Sequence, residues 1–173
     1  MQNLTRPIRL HRALLLLGTC VLAAWVPAAP VIAQNAGEKP SPFDALAGDW
    51  QGSGTLQGNA VDAEMSWEPV LAGRHVRLTT RFLVGGQVIF EGHAYYRPGE
   101  EIRGVWFDGA GHIYEITARA EGGELVSDWG DPAIERGRSI YTLTGADGLT
   151  VVDAVRGEDG ELREFARVTY RRE

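Results

Sequence analysis

The feature that most constrains the fold is a succession of short segments, from about residue 48 to the C-terminus, in which apolar and polar residues alternate between glycines. Alternation with a period of two is typical of strands with one buried face. Short connections favour antiparallel neighbours. We therefore predict an all-β fold, a single antiparallel up-and-down β-barrel. Its ten or so strands are expected at 49–56, 61–70, 74–84, 87–97, 101–108, 112–121, 124–129, 134–143, 149–156 and 161–171.

A short helical turn is predicted before the first strand. Ser41 is a good helix cap, Pro42 suits the first helical position and Gly48 can end the turn. Such a turn can plug one end of a barrel.

The N-terminal region has the composition of a secretory signal peptide. Arginines precede an apolar run that ends in Val31-Ile32-Ala33, a sequence suited to cleavage after Ala33. We predict a signal peptide at 1–33, a flexible tether at 34–42 and a barrel domain at 43–173. The protein is then expected to be periplasmic or secreted, with no membrane span after cleavage.

The single cysteine, Cys20, lies within this apolar run. The preceding Leu17-Gly18-Thr19 resembles a lipoprotein cleavage motif only weakly, because threonine is a poor residue there. We predict no lipid attachment at Cys20. Cleavage after Ala33 would leave no thiol, which excludes disulfides, thiolate metal sites and cysteine nucleophiles.

The charge of the chain argues against a nucleic-acid partner. All 23 acidic residues follow Ala33, and three of the 17 basic residues precede it. The remaining 14 basic residues give a net charge of −9. Such an acidic domain disfavours binding to phosphate backbones. The sequence gives no indication of the oligomeric state.

The loop Asp108-Gly109-Ala110-Gly111 predicts the register of one hairpin. If Gly111 adopts the left-handed conformation, a three-residue loop aligns the flanking strands. The expected inward-facing pairs are Trp106 with Tyr114, Gly104 with Ile116 and Ile102 with Ala118. The same alternation predicts that Met65, Trp67, Val76, Leu78, Thr80 and Phe82 also face inward.

The first strand opens with Gly48-Asp49-Trp50-Gln51-Gly52-Ser53-Gly54, which resembles the G-x-W-x-G-x-G opening of nitrobindin-like barrels in the lipocalin-like (calycin) group. Trp67-Glu68-Pro69-Val70-Leu71-Ala72-Gly73-Arg74 and Val105-Trp106-Phe107-Asp108 resemble a secreted bacterial branch of unknown function. Nitrobindins hold haem through a histidine near their C-terminal strands, and this chain has no histidine after His112. We predict no histidine-ligated haem, and no other cofactor or metal.

Three charged residues interrupt apolar alternation near the C-terminus. Asp153 alternates with valines, Glu164 alternates with alanine and valine, and Arg138 is two residues from Ile140. If these sets face inward, the three side chains form a buried cluster, which must be paired internally or by a ligand. The alternatives are a reversed facing, with the charges in solvent, or a structural ion network.

The predicted function is non-covalent binding of a small, partly apolar ligand inside the barrel. Apolar contact would come from aromatic residues and orientation from charged ones. The candidate ligand-binding residues are Trp67, Trp106, Tyr114, Arg138, Asp153 and Glu164. Arg138 would anchor a carboxylate or similar group.

Two other classes of function remain. A barrel enzyme, an isomerase or hydrolase, could use the interior carboxylates or His93, which is two residues from Glu91 on one strand face. A structural or interaction protein would have a filled interior, with the tryptophans serving only as core.

Overall fold

Ten antiparallel strands and one short helix make up the described part of the chain, residues 41–131 and 135–173, in a computed structural model. The helix α1 spans Pro42–Leu46. The strands are β1 (Gly48–Leu56), β2 (Asn59–Val70), β3 (His75–Val84), β4 (Gln87–Arg97), β5 (Ile102–Asp108), β6 (Ile113–Glu121), β7 (Glu124–Asp131), β8 (Glu135–Leu143), β9 (Gly148–Arg156) and β10 (Leu162–Arg172). Each bound lies within two residues of its predicted position.

The strands follow one another around a closed barrel. Each strand pairs with the next in sequence, and β1 pairs with β10 to complete the circuit. The predicted all-β, up-and-down barrel with a short N-terminal helical turn is confirmed. The predicted signal peptide (1–33), including Cys20, and the tether up to residue 40 lie outside the described residues.

Two glycines of the opening motif allow β1 to approach β10 closely. A Cβ atom added at Gly52 would lie 2.5 Å from the Thr169 carbonyl oxygen. One added at Gly54 would lie 2.0 Å from the Arg167 carbonyl oxygen. Both distances are shorter than a van der Waals contact, so a side chain at either position would separate the strands that close the barrel.

The helix α1 plugs one end of the barrel. The Ser41 hydroxyl accepts a hydrogen bond from the Phe43 backbone N–H, and the Asp44 carboxylate accepts one from the Ser41 backbone N–H. This capping box starts the helix. Phe43 and Leu46 are buried beneath it. Among the described residues, no helix has the length and apolar composition needed to cross a membrane.

Side chains of the first and last strands hold the helix in place. The Trp50 indole Nε1 donates a hydrogen bond to the Leu46 carbonyl oxygen at 2.8 Å. The Arg172 guanidinium lies 4.0 Å from the centroid of the Trp50 ring and donates hydrogen bonds to the carbonyl oxygens of Ala45 and Ala47. These contacts satisfy carbonyls at the end of the helix. The tryptophan of the opening motif therefore has a structural role.

The predicted register and facing are confirmed on β2, β3, β5 and β6. Gly111 has a φ of +89°, and β5 pairs with β6 as expected, with Trp106 opposite Tyr114. On β2 and β3, the residues predicted to face inward are buried: Met65, Trp67, Val76, Leu78, Thr80 and Phe82.

Candidate ligand site

A cavity of about 370 Å³ occupies the half of the barrel that lies away from α1. It runs from Tyr96, Tyr141 and Tyr170 near the middle of the barrel to Gln57 and His112 at the end where β5 turns into β6. We call this end the open end and the end covered by α1 the plugged end. Gln57 and His112 are exposed, so the cavity reaches solvent.

Two aromatic groups form the walls of the cavity. On β3 to β5, Phe82 contacts Phe90, and Phe90 stacks with Trp106 at a centroid distance of 6.2 Å. A second series of ring contacts runs from His112 to Tyr114 (5.5 Å), from Tyr114 to Trp129 (5.6 Å) and from Trp129 to Phe165 (6.4 Å). Such walls are typical of small-molecule sites.

Glycines provide the space in which the two cavity tryptophans lie. A Cβ atom added at Gly92 would lie 2.1 Å from the nearest atom of the Trp106 ring. One added at Gly137 would lie 2.2 Å from the nearest atom of the Trp129 ring. Gly92 and Gly137 are both buried. Each indole therefore covers a glycine of the barrel wall, and a side chain there would move the ring.

A chain of hydrogen bonds crosses the floor of the cavity. The Trp129 indole Nε1 donates to the Ser139 hydroxyl at 3.1 Å. The Ser139 hydroxyl donates in turn to Asp153 Oδ1 at 2.5 Å. This chain fixes the Trp129 ring and supplies Asp153 with one hydrogen bond.

The charge of Asp153 has little compensation from the protein. Burial raises the pKa of its carboxyl to about 6, and the hydrogen bond from Ser139 only partly opposes that rise. In the described parts of the chain, no arginine or histidine forms an ion pair with Asp153. Such an uncompensated carboxylate is costly for the protein and is available to a ligand.

Three tyrosine hydroxyls surround Asp153 and stay neutral. Burial raises the pKa of Tyr96 to about 12, against the opposing effect of hydrogen bonds with Ser127 and Tyr141. Burial also raises the pKa of Tyr141 and of Tyr170, and the negative charge of Asp153 adds to both shifts. The floor thus combines one carboxylate with neutral hydroxyls.

Acidic residues also lie at the open end. Asp108 accepts hydrogen bonds from the His112 ring Nδ1 (3.0 Å) and from the Trp106 indole Nε1 (3.4 Å). Burial opposes its charge, but the bonds from the His112 backbone, the His112 ring and Trp106 outweigh burial and lower its pKa. The Tyr114 hydroxyl donates to Glu135 at 3.2 Å. Burial, reinforced by the charge of Glu135, raises the pKa of Tyr114 to about 12.

Three of the predicted ligand-binding residues lie together in the cavity. Trp106, Tyr114 and Asp153 all line it. Trp67 is buried elsewhere, at the plugged end. Its ring contacts Phe43 and Tyr96, and its indole Nε1 donates to the Met65 sulfur.

The predicted inward facing of Arg138 is wrong. Arg138 pairs with Asp128 across β7 and β8, and its Nε donates to Asp128 Oδ1 at 2.7 Å on the outer face. The buried residues of β8 are instead Gly137, Ser139 and Tyr141. The prediction took the apolar Ile140 as the inward residue, although the inner face of this strand carries the small and polar side chains.

The predicted inward facing of Glu164 is also wrong, because β10 contains a bulge. The register with β9 shifts between Glu164 and Ala166, so the alternation changes by one residue. Glu164 forms an ion pair with Arg167 on the outside. Phe165, within the bulge, lines the cavity in its place.

His93 lies on the outer face of β4, away from the cavity. Its Nε2 lies 2.9 Å from Glu91 Oε1, and its Nδ1 lies 3.2 Å from the Thr79 hydroxyl. Glu91 also accepts a hydrogen bond from Arg81 at 2.7 Å. In residues 41–131 and 135–173, no group of three metal-ligating side chains is arranged to hold an ion.

Several lining residues were not predicted individually. Ser139 and Glu135 lie on the strand whose facing was reversed, and Phe165 lies in the bulge. Trp129 could have been identified from Gly137, its cross-strand neighbour, because a small residue opposite a large one is the pattern that accommodates an inward ring.

Comparisons with known proteins reveal similarity only at the level of the fold. No protein-family model matches the chain, and no curated protein sequence matches it significantly. The crystal structure of Rv2717c from M. tuberculosis matches with a TM-score of 0.54 and 18% identity, over 79% of this chain and 99% of that chain. The S-type phycobiliprotein lyase CPES from Guillardia theta matches with a TM-score of 0.50 and 14% identity, over 76% and 90%. The barrel thus has a calycin-like or lipocalin-like fold.

Proposed function

We propose that the protein binds a small, partly apolar molecule non-covalently in the cavity at the open end of the barrel. We further propose that it does so in the periplasm or outside the cell, after removal of the predicted signal peptide. The nitrobindin-like resemblance of the first strand stays a prediction and contributes nothing to the ligand assignment.

The observation that carries this proposal is the cavity itself. Its volume of about 370 Å³ falls within the range of roughly 300–1,000 Å³ that is typical of small-molecule sites. Aromatic rings line its sides, and hydroxyls and a carboxylate lie on its floor. A protein with a purely structural role would be expected to fill this space, because an unfilled core is destabilising.

Filling the cavity tests the proposal. Val155 lines the cavity on β9, and Val152 lies on the outer face of the same strand. We expect Val155→Phe to abolish the retention of small molecules that co-purify with the mature protein from its native host. Val152→Phe is the matched control and should retain them. Mass spectrometry of the denatured samples measures the difference, and thermal denaturation confirms that both variants fold. Equal retention by the two variants would contradict the proposed site.

A barrel enzyme is a second candidate, favoured by one observation. Asp153 lines the cavity with its pKa raised to about 6, which suits a general base near neutral pH. In that case Asp153→Asn would abolish conversion of the co-purified molecule while its binding persisted. If the wild-type protein left the co-purified molecule unchanged after long incubation, the enzyme hypothesis would be excluded.

A further inference from the structure

We propose that the ligand of the cavity is an organic cation, with an ammonium group attached to a partly apolar body. This inference rests on the proposed binding function and specifies its ligand class. Three independent properties of the cavity support it: the sign of its charges, the state of its hydrogen-bond donors and the composition of its walls.

The charged groups of the cavity are acidic. Asp153 lies on the floor, and Asp108 and Glu135 lie toward the open end. Neither lysine nor arginine is among the described residues that line the cavity. The basic residue at its mouth, His112, is hydrogen-bonded to Asp108. An anionic ligand would meet like charges here, whereas an ammonium group would supply Asp153 with the counter-charge that the protein lacks.

The main hydrogen-bond donors of the cavity are directed at protein acceptors. Both indoles and the hydroxyls of Ser139 and Tyr114 are engaged in this way, and the tyrosine hydroxyls of the floor form hydrogen bonds with other hydroxyls. The pairs are Trp106 with Asp108, Trp129 with Ser139, Ser139 with Asp153, and Tyr114 with Glu135. A carboxylate can accept about four hydrogen bonds, and Ser139 provides Asp153 with one. The Gln57 amide at the mouth can both donate and accept, so it favours neither kind of ligand. The cavity therefore offers mainly acceptors.

The walls suit a cation as well as an apolar body. The rings of Trp106, Tyr114 and Trp129 line the cavity that contains the carboxylate. A cation within about 6 Å of an aromatic centroid is attracted by the ring, most strongly when it is desolvated. Aromatic walls around an acidic floor bind an ammonium group by both effects, and they also accommodate the hydrocarbon part of the ligand.

Three probes of similar shape test the charge directly. Benzyltrimethylammonium is the cation, neopentylbenzene is its neutral carbon isostere and phenylacetate is an anion of similar size. Calorimetry with the mature wild-type protein at pH 7.5 should show the cation binding about ten- to a hundredfold more tightly than the neutral isostere, as expected for a charge-assisted contact. The anion should show no binding. This comparison needs no variant, so it is decisive even if a variant fails to fold.

Variants then identify the carboxylate that binds the cation. Asp153→Asn should reduce the affinity for benzyltrimethylammonium about tenfold or more and leave neopentylbenzene unchanged. Asp128→Asn, which removes a carboxylate from the outer face, is the matched control and should affect neither probe.

Two results would overturn the cation inference. If neopentylbenzene or phenylacetate binds as tightly as the cation, and Val155→Phe blocks that binding, the ligand is not selected for positive charge, although the proposed site stands. If none of the three probes binds, the cation inference also fails. The proposed function is then decided separately by the retention of co-purified molecules in Val155→Phe and Val152→Phe.

Discussion

The plugged end and the open end of this barrel use the same kinds of residue for different purposes. At the plugged end, Trp67 stacks with Tyr96 (5.6 Å) and meets Tyr141 edge-on (5.2 Å), while Phe43 from α1 closes the cluster. At the open end, Trp106 and Trp129 lie over glycines and line a cavity. The role of an inward-facing aromatic residue therefore depends on its neighbours. Beneath a helix it packs into the core, whereas over a glycine of the barrel wall it lines the cavity.

The largest expected difference between the two ends concerns stability. Trp67 is only 1% exposed, and we expect Trp67→Ala to cost about 3–5 kcal/mol of the free energy of unfolding. Trp106 is only partly buried, so Trp106→Ala should cost about half as much or less because its surroundings include empty space. Urea denaturation measures both. Equal losses would mean that the open end is packed as tightly as the plugged end.

The next prediction concerns the pH dependence of stability at the cavity floor. The pKa of the Asp153 carboxyl is about 6 in the folded protein, compared with about 3.9 in an unfolded chain. Between these two pH values the folded state binds more protons than the unfolded state. Asp153 therefore makes the free energy of unfolding fall as the pH rises from about 4 to about 6. Its contribution is on the order of 2–3 kcal/mol.

Comparison with Asp153→Asn isolates this effect. The difference in free energy of unfolding, variant minus wild type, should increase from pH 4 to pH 6.5. Carboxyls with lowered pKa values, such as Asp108 and Asp128, act in the opposite direction, but they do so in both proteins and cancel. If this difference does not change with pH, the protein compensates the charge of Asp153 well.

The glycines behind the tryptophans give a smaller but more specific effect. Gly92→Ala places a methyl group against the Trp106 ring and should force that ring toward the cavity. We expect a loss of about 1–3 kcal/mol, as for other overpacked sites, together with weaker binding of the co-purified molecule. Gly99→Ala is the control, since its nearest atom would be 3.7 Å away. Binding unchanged in Gly92→Ala would show that the position of this ring does not define the site.

The smallest effect is expected on the outer surface. Arg138→Met removes an ion pair with Asp128 whose side chains are 28% and 39% exposed. Such pairs contribute roughly 0–1 kcal/mol. Affinity for the co-purified molecule, measured by calorimetry, should match that of the wild type. A tenfold loss of affinity would show that Arg138 reaches the ligand.

The sequence predicts the architecture well because its signals are local and repeated. Ten alternating segments separated by glycines predict the strand bounds, and a three-residue loop that ends at Gly111 predicts the register of β5 and β6. The candidate site is predicted in part, through Trp106, Tyr114 and Asp153.

The remaining part of the site depends on features that alternation cannot reveal. A bulge between Glu164 and Ala166 reverses which side chains face inward in the part of β10 that precedes it. Nothing in the sequence marks the position of this bulge. On β8 the inner face carries Gly137 and Ser139, so hydrophobicity does not distinguish the two faces. Whether a tryptophan packs in the core or lines the cavity depends on its contacts with distant strands and with α1.

A crystal structure of the mature protein isolated from its native host tests the central claim most directly. The account predicts electron density for a bound small molecule in contact with Trp106, Tyr114 and Trp129 and close to Asp153, with the plugged end packed by side chains alone. Density for a ligand on the outer face of the barrel, or side chains that fill the cavity, would contradict it.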